Sequence, residues 1–121
     1  MKILIVDDSK LSRLTILKRM PAAIKESADI WQGANGVEAL ALYKEHQPDI
    51  VFLDLTMPVM DGFQALTHIR AFDQTSRVHI VTADIQTKSQ EKVMDMGAVA
   101  VEAKPIDSAR LAEIFAALPP G

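Results

Sequence analysis

Apolar residues fall along this chain in two alternating patterns, short unbroken runs and stretches spaced every three or four positions. The runs are Ile3-Leu4-Ile5-Val6, Ile50-Val51-Phe52-Leu53, Val78-His79-Ile80-Val81-Thr82 and Val99-Ala100-Val101-Glu102-Ala103. Runs that lack strict polar alternation predict strands covered on both faces. Residues 28–32 form a weaker strand candidate, with Ile30 and Trp31 as its only large apolar side chains, and an edge position suits them. Between the runs the spacing is helical. Leu11, Leu14, Leu17 and Lys18 mark a first helical face behind a Ser9 cap, and Val37, Leu40, Ala41 and Lys44 mark a second behind Asn35-Gly36. Leu66 and Ile69 point inward from a third helix over residues 62–70, and a fourth spans residues 87–96 before Gly97. Leu111, Ile114, Phe115 and Leu118 form the stripe of a fifth, which Asp107 caps and Ile106 staples.

Prolines and acids punctuate these elements. Pro21 removes an amide donor, so the first helix ends or kinks near Met20 and resumes for a short turn through residues 22–24. Gln47-Pro48 stops the second helix, and Pro119-Pro120 stops the last. Asp61-Gly62-Phe63-Gln64 reads as a capping box at the start of the third. Strands separated by helices require a parallel sheet with right-handed crossovers, so the class is α/β.

Composition narrows the function. The 121 residues suffice for one domain with a single core. No apolar run approaches the roughly 20 residues of a membrane span, and residues 3–6 are too short for a secretory core and lead straight into two acids. Zero cysteines exclude disulfides and thiolate metal sites and fit a reducing cytoplasm. A net charge of -3 without a basic cluster argues against nucleic acid.

The chemistry lies at the strand ends. An open parallel sheet binds ligands beyond the carboxyl ends of its strands. There this chain carries Asp7-Asp8 after the first strand, Asp54 after the third, Thr82 at the fourth and Lys104 after the fifth. Taken singly, Asp54 could be a turn residue, Asp7-Asp8 a helix-start pair, Thr82 a β-former and Lys104 a solvated charge. Taken together they are hard to obtain by accident. Converging carboxylates need a cation, and Mg²⁺ suits an all-oxygen site that also meets a phosphoryl group. A carboxylate beside Mg²⁺, a lysine and a hydroxyl is a nucleophile for phosphoryl transfer.

The sequence resembles the receiver domains of bacterial two-component response regulators. The likeness is carried by Val6-Asp7-Asp8-Ser9, by the run Asp54-Leu55-Thr56-Met57-Pro58-Val59-Met60-Asp61-Gly62, by Thr82-Ala83 and by Lys104-Pro105. It covers essentially the whole chain, residues 1–121, as one receiver domain. It implies a flavodoxin-like doubly wound sheet of five parallel strands in the order 2-1-3-4-5, with five helices. It implies that Asp54 accepts a phosphoryl group from a sensor histidine kinase or a phosphotransfer protein, and that the altered surface then engages an output protein. Asp8 would bind Mg²⁺ directly, Asp7 through water, and Thr56 through its backbone carbonyl, with Asp54 completing the set. Thr82 and Lys104 would contact phosphoryl oxygens, and the Lys104-Pro105 peptide would be cis. The resemblance implies no enzyme beyond the domain's own aspartyl phosphorylation and dephosphorylation.

The chain departs from the family pattern in two places. Val101 stands three residues before the lysine, where receivers often carry an aromatic that swings inward on activation. Glu102 replaces an apolar strand residue, which reads as an edge strand with a solvated face in preference to a partner contact. His46, His68 and His79 share no face with a carboxylate and read as surface or core filler. Met57, Met60, Met94 and Met96 read as packing residues. Three other functions fit less well. A haloacid-dehalogenase-type phosphatase usually wants an acid where Thr56 stands, and a flavin carrier needs a hydroxyl-rich loop where Asp7-Asp8 would repel phosphate. An unphosphorylated docking module would need the acid set to be broken.

Overall fold

The computed structural model describes residues 1–119. The second proline of the terminal pair, Pro120, lies outside the described residues. Five parallel strands form one sheet in the order β2-β1-β3-β4-β5. They are β1 (Lys2–Val6), β2 (Asp29–Gly33), β3 (Ile50–Leu53), β4 (Val78–Thr82) and β5 (Ala100–Ala103). The flavodoxin-like order expected from the sequence is therefore present, with the weak strand β2 at one edge and β5 at the other.

Successive strand residues face opposite sides of the sheet, and this alternation divides the apolar interior into two. Leu4, Val6, Val51, Leu53, Val78 and Ile80 meet Tyr43 of α3 (Gly36–His46), Leu66 and Ile69 of α4 (Gly62–Phe72) and Val93 of α5 (Thr87–Asp95). Ile3, Ile5, Ile50, Phe52 and Val81 meet Ile16 of α1 (Lys10–Arg19) and Leu111, Ile114 and Phe115 of α6 (Ser108–Ala117). Every residue of β3 and β4 is buried, as strands covered on both faces require.

Most helix ends follow the polar residues that mark them. Ser9, Asn35 and Asp107 each accept a backbone N–H as N-caps, and Asp61 and Gln64 form both halves of a capping box. Gly97 adopts φ +100 just past α5, a left-handed conformation that favours glycine. Among the described residues there are six helices, because the short turn after Pro21 extends to a separate α2 (Ala22–Ser27).

Two helices are rolled away from the faces that their spacing predicts. In α1 the buried residue is Ile16, continued by Met20, whereas Leu11 and Leu14 are 75% and 44% exposed. The roll is roughly one residue's step of 100°. Its physical cause is a pair of hydrogen bonds: Arg13 donates to the Asp7 carbonyl at 2.6 Å, and Arg19 donates to the Ile106 carbonyl at 2.9 Å. These arginines hold the polar side of the helix against the sheet ends and leave the leucines outward. In α3 the buried positions are Gly36, Ala39 and Tyr43, with Val37 exposed, because the Tyr43 hydroxyl reaches inward to donate to Asp73 at 2.7 Å.

The solvated face expected at Glu102 is also overturned. Although β5 is an edge strand, Glu102 is buried on the α6 side, where Arg110 holds both its oxygens at 2.6 and 2.9 Å. The pleat turns Glu102 toward the helix layer rather than the open edge. Of the four methionines read as packing residues, Met94 is exposed.

Candidate functional site

The carboxyl ends of β1, β3, β4 and β5 converge on one cleft. Asp7 directly follows β1, Asp54 follows β3, and both are buried, while Asp8 is exposed. Each of the three offers a carboxylate oxygen within 4.8 Å of the others. Asp7 is oriented from its own loop, since its Oδ1 accepts the Ser9 amide at 2.9 Å at the entry to α1. Lys104 follows β5 and bridges two of the acids, with Nζ 2.6 Å from Asp7 Oδ2 and 3.4 Å from Asp54 Oδ2. The Lys104-Pro105 peptide is cis, as the family resemblance implied.

The fourth strand contributes a hydroxyl. Thr82 is 1% exposed, and its Oγ1 accepts the Asp84 amide at 3.0 Å, which ties it into the following loop. Asp8, Asp54, Thr56, Thr82, Ala83, Asp84 and Lys104 line an open cleft of about 480 Å³. The start of α4 packs against the backbone that carries Asp54. A side chain at Gly62 would collide with the Asp54 carbonyl and the Leu55 Cα, so only glycine allows this approach.

The electrostatics are those of an anionic site with one cation. Burial pushes the Asp54 carboxyl above its ordinary range, and the Lys104 charge opposes the rise without cancelling it. Asp7 adds to the rise, and the Thr56 amide subtracts from it. Burial alone would lower Lys104, but hydrogen bonding to Asp7 and the charges of both acids raise its ammonium overall. Asp54 receives the longer of the two lysine contacts, so burial prevails there. Three carboxylates against one ammonium leave a negative excess, and hard oxygen donors at this spacing fit a divalent cation such as Mg²⁺.

All six residues singled out from the sequence, Asp7, Asp8, Asp54, Thr56, Thr82 and Lys104, therefore meet at one end of the sheet. Sequence reasoning missed Arg13, which braces the Asp7 carbonyl, and the brace that the Asp84 amide gives Thr82. The spacing Thr82-Ala83-Asp84 is a turn signal that could have revealed the second. Arg13 carries no such local mark.

A family model for the response regulator receiver domain matches residues 3–116. This chain belongs to that family. The chemotaxis protein CheY of Halobacterium salinarum is 36% identical, over 86% of this chain and 84% of that protein. Sporulation initiation phosphotransferase F of Bacillus subtilis is also 36% identical, over 88% and 83%. Among solved structures, CheY in the CheX-CheY-BeF3-Mg complex of Borrelia burgdorferi superposes with a TM-score of 0.87 at 32% identity, covering 98% of this receiver and 90% of that chain. Receivers are signalling domains of two-component systems, and phosphorylation on aspartate with Mg²⁺ is their general property. Among the described residues of this receiver, no helix is long and apolar enough to cross a membrane.

Proposed function

We propose that Asp54 is the phosphoacceptor of this receiver, served by a sensor histidine kinase or a phosphotransfer protein, and that phosphorylation alters the surface offered to an output protein. The carrying observation is the position of Lys104 Nζ between Asp7 and Asp54, with the Asp8 carboxylate beside them. An Asp54 oxygen attacks phosphorus as the bond from phosphorus to the donor nitrogen breaks, and the released imidazole takes a proton from solvent. Lys104 turns from the Asp54 carboxylate to a phosphoryl oxygen, and the Thr82 hydroxyl donates to another. Asp7, Asp8, Asp54 and the Thr56 carbonyl are the residues that would hold Mg²⁺. Bound there, the ion supplies charge neutralisation for the acids and the phosphoryl oxygens. Transfer from the phosphodonor to Asp54 and later hydrolysis of the acyl phosphate are the domain's own chemistry.

Residues 1–121 act in this reading as one receiver domain, and its proposed compartment is the cytoplasm, to which a chain without cysteine is suited. Incubation with acetyl phosphate and Mg²⁺, followed by intact-mass analysis, tests the assignment. The wild type should gain one phosphoryl group and Asp54→Asn none. An equal gain in both removes Asp54 as the acceptor.

A further inference from the structure

A second cluster of ionisable side chains lies away from the phosphoryl site, between β4, β5 and α6. His79 and Glu102 are 5% and 8% exposed, and the alternation of the strands turns both toward α6. Glu102 Oε1 accepts from Arg110 Nη2 at 2.6 Å, and Oε2 accepts from Nε at 2.9 Å. The third nitrogen, Nη1, reaches Glu113 Oε2 on the same helix at 3.3 Å. His79 Nδ1 stands 3.7 Å from Glu102 Oε1, beyond hydrogen-bond length, and has no partner among the described residues.

The surroundings make this gap consequential. A buried ring nitrogen without a partner costs free energy, and it is poised to take whatever partner a small movement brings. The charged groups facing the imidazole are Glu102 from β5, Arg110 and Glu113 from α6, and Arg77, which directly precedes its own strand. From β3 it meets only the Phe52 ring, at a centroid distance of 5.9 Å. Burial lowers the proton affinity of His79, Glu102 opposes that, and Arg110 reinforces it. Arg110 meanwhile has two carboxylates within reach, one across the β5–α6 boundary and one on its own helix. Both contacts coexist here, so Arg110 keeps a carboxylate partner on its own helix if Glu102 turns away.

We propose that His79, Glu102 and Arg110 form a proton-operated clamp between the edge strand β5 and helix α6. With His79 neutral, Glu102 is committed to Arg110 and ties the helix to the strand. A proton taken from solvent leaves both ring nitrogens as donors, so Nδ1–H closes the gap to Glu102 Oε1. Glu102 turns toward His79, and Arg110 is left with Glu113 alone. Helix α6 is then held on this side by the packing of Leu111, Ile114 and Phe115. Glu102 lies two residues before Lys104, so the clamp acts on the strand that carries the phosphoryl-site lysine. Its operation requires no phosphoryl group, and its test is separate from that of Asp54.

The unphosphorylated chain is titrated by NMR from about pH 8 to about pH 4, through and below the ordinary histidine range near 6.5. The His79 ring, the Arg110 Nε–H and the amides of Ser108–Ala117 are followed. His79 should titrate below the ordinary range, and the Arg110 and α6 signals should move with the same midpoint. Glu102→Gln should shift the His79 midpoint to lower pH and abolish the Arg110 response. His79→Gln keeps a polar, uncharged side chain there and removes the proton site, and its α6 signals should be flat. The clamp is overturned if Arg110 and α6 stay flat through the His79 midpoint, or if His79→Gln leaves their movement unchanged.

Discussion

The Lys104 ammonium lies 2.6 Å from Asp7 and 3.4 Å from Asp54, and so its shortest ion pair is not with the proposed phosphoacceptor. Asp7 and Asp54 are both buried, and the lysine side chain is itself only 22% exposed. Removing it strands two carboxylates with little solvent. Lys104→Ala should cost about 2 kcal/mol of stability in a chelator, as for a hydrogen-bonded charge pair broken on one side. Millimolar Mg²⁺ should return part of that loss. Chemical denaturation with and without the ion is the measurement, and a melt unaffected by the substitution would mean that the lysine merely decorates the cleft.

Asp54 gives a pH dependence whose sign follows from its raised carboxyl. A group that binds its proton more tightly folded than unfolded favours folding below its ordinary value of 3.8, and that contribution is lost as pH rises through the folded value. At neutral pH the buried charge is therefore a burden. Asp54→Asn should be more stable than the wild type by about 1 kcal/mol near pH 7. The difference should narrow as pH falls toward the folded value. Urea unfolding across that window checks both statements.

Val59 stores backbone strain beside the cleft. It has φ 70, is 82% exposed, and sits between Pro58 and Met60, whose amide donates to the Pro58 carbonyl at 2.8 Å. That is a tight three-residue turn with a β-branched side chain at a positive dihedral, a rare and strained arrangement. Val59→Gly should raise stability by about 1 kcal/mol, the relief of strain exceeding the entropy that glycine loses. Thermal melts of the two proteins settle the sign.

If Asp54 is the phosphoacceptor, as proposed, Val101 should limit how far the change spreads. It is half-buried on the α5 side of the sheet, and a side chain this short and stiff at χ1 cannot fill the space that Thr82 leaves when it moves toward a phosphoryl group. Beryllofluoride, standing in for the phosphoryl group, should shift Thr82, Ala83 and Asp84 strongly and α5 and β5 only modestly. Large amide shifts across both elements before a partner is added would overturn this expectation.

What the sequence disclosed and what it hid follow different physics. Caps are local, so Ser9, Asn35, Asp61 and Asp107 could be read from a few neighbouring residues. The site was legible because the topology brings strand ends together, whatever the details of packing. The roll of α1 was not legible, since it depends on Arg13 and Arg19 reaching carbonyls that only the folded chain places nearby. Glu102 shows the boundary between the two. Its strand could be recognised as an edge, but its burial depends on Arg110, which arrives from the next helix.

The sheet also acts as an insulating wall. Leu4 and Ile5 are neighbours in sequence, yet each loses its packing against a different set of helices when truncated. Damage on one side therefore cannot be absorbed by repacking on the other, and paired truncations across the wall should add, whereas pairs on one side should interact. The cleft at the strand ends lies on the rim of that wall, where the two halves come within reach of the same ligand.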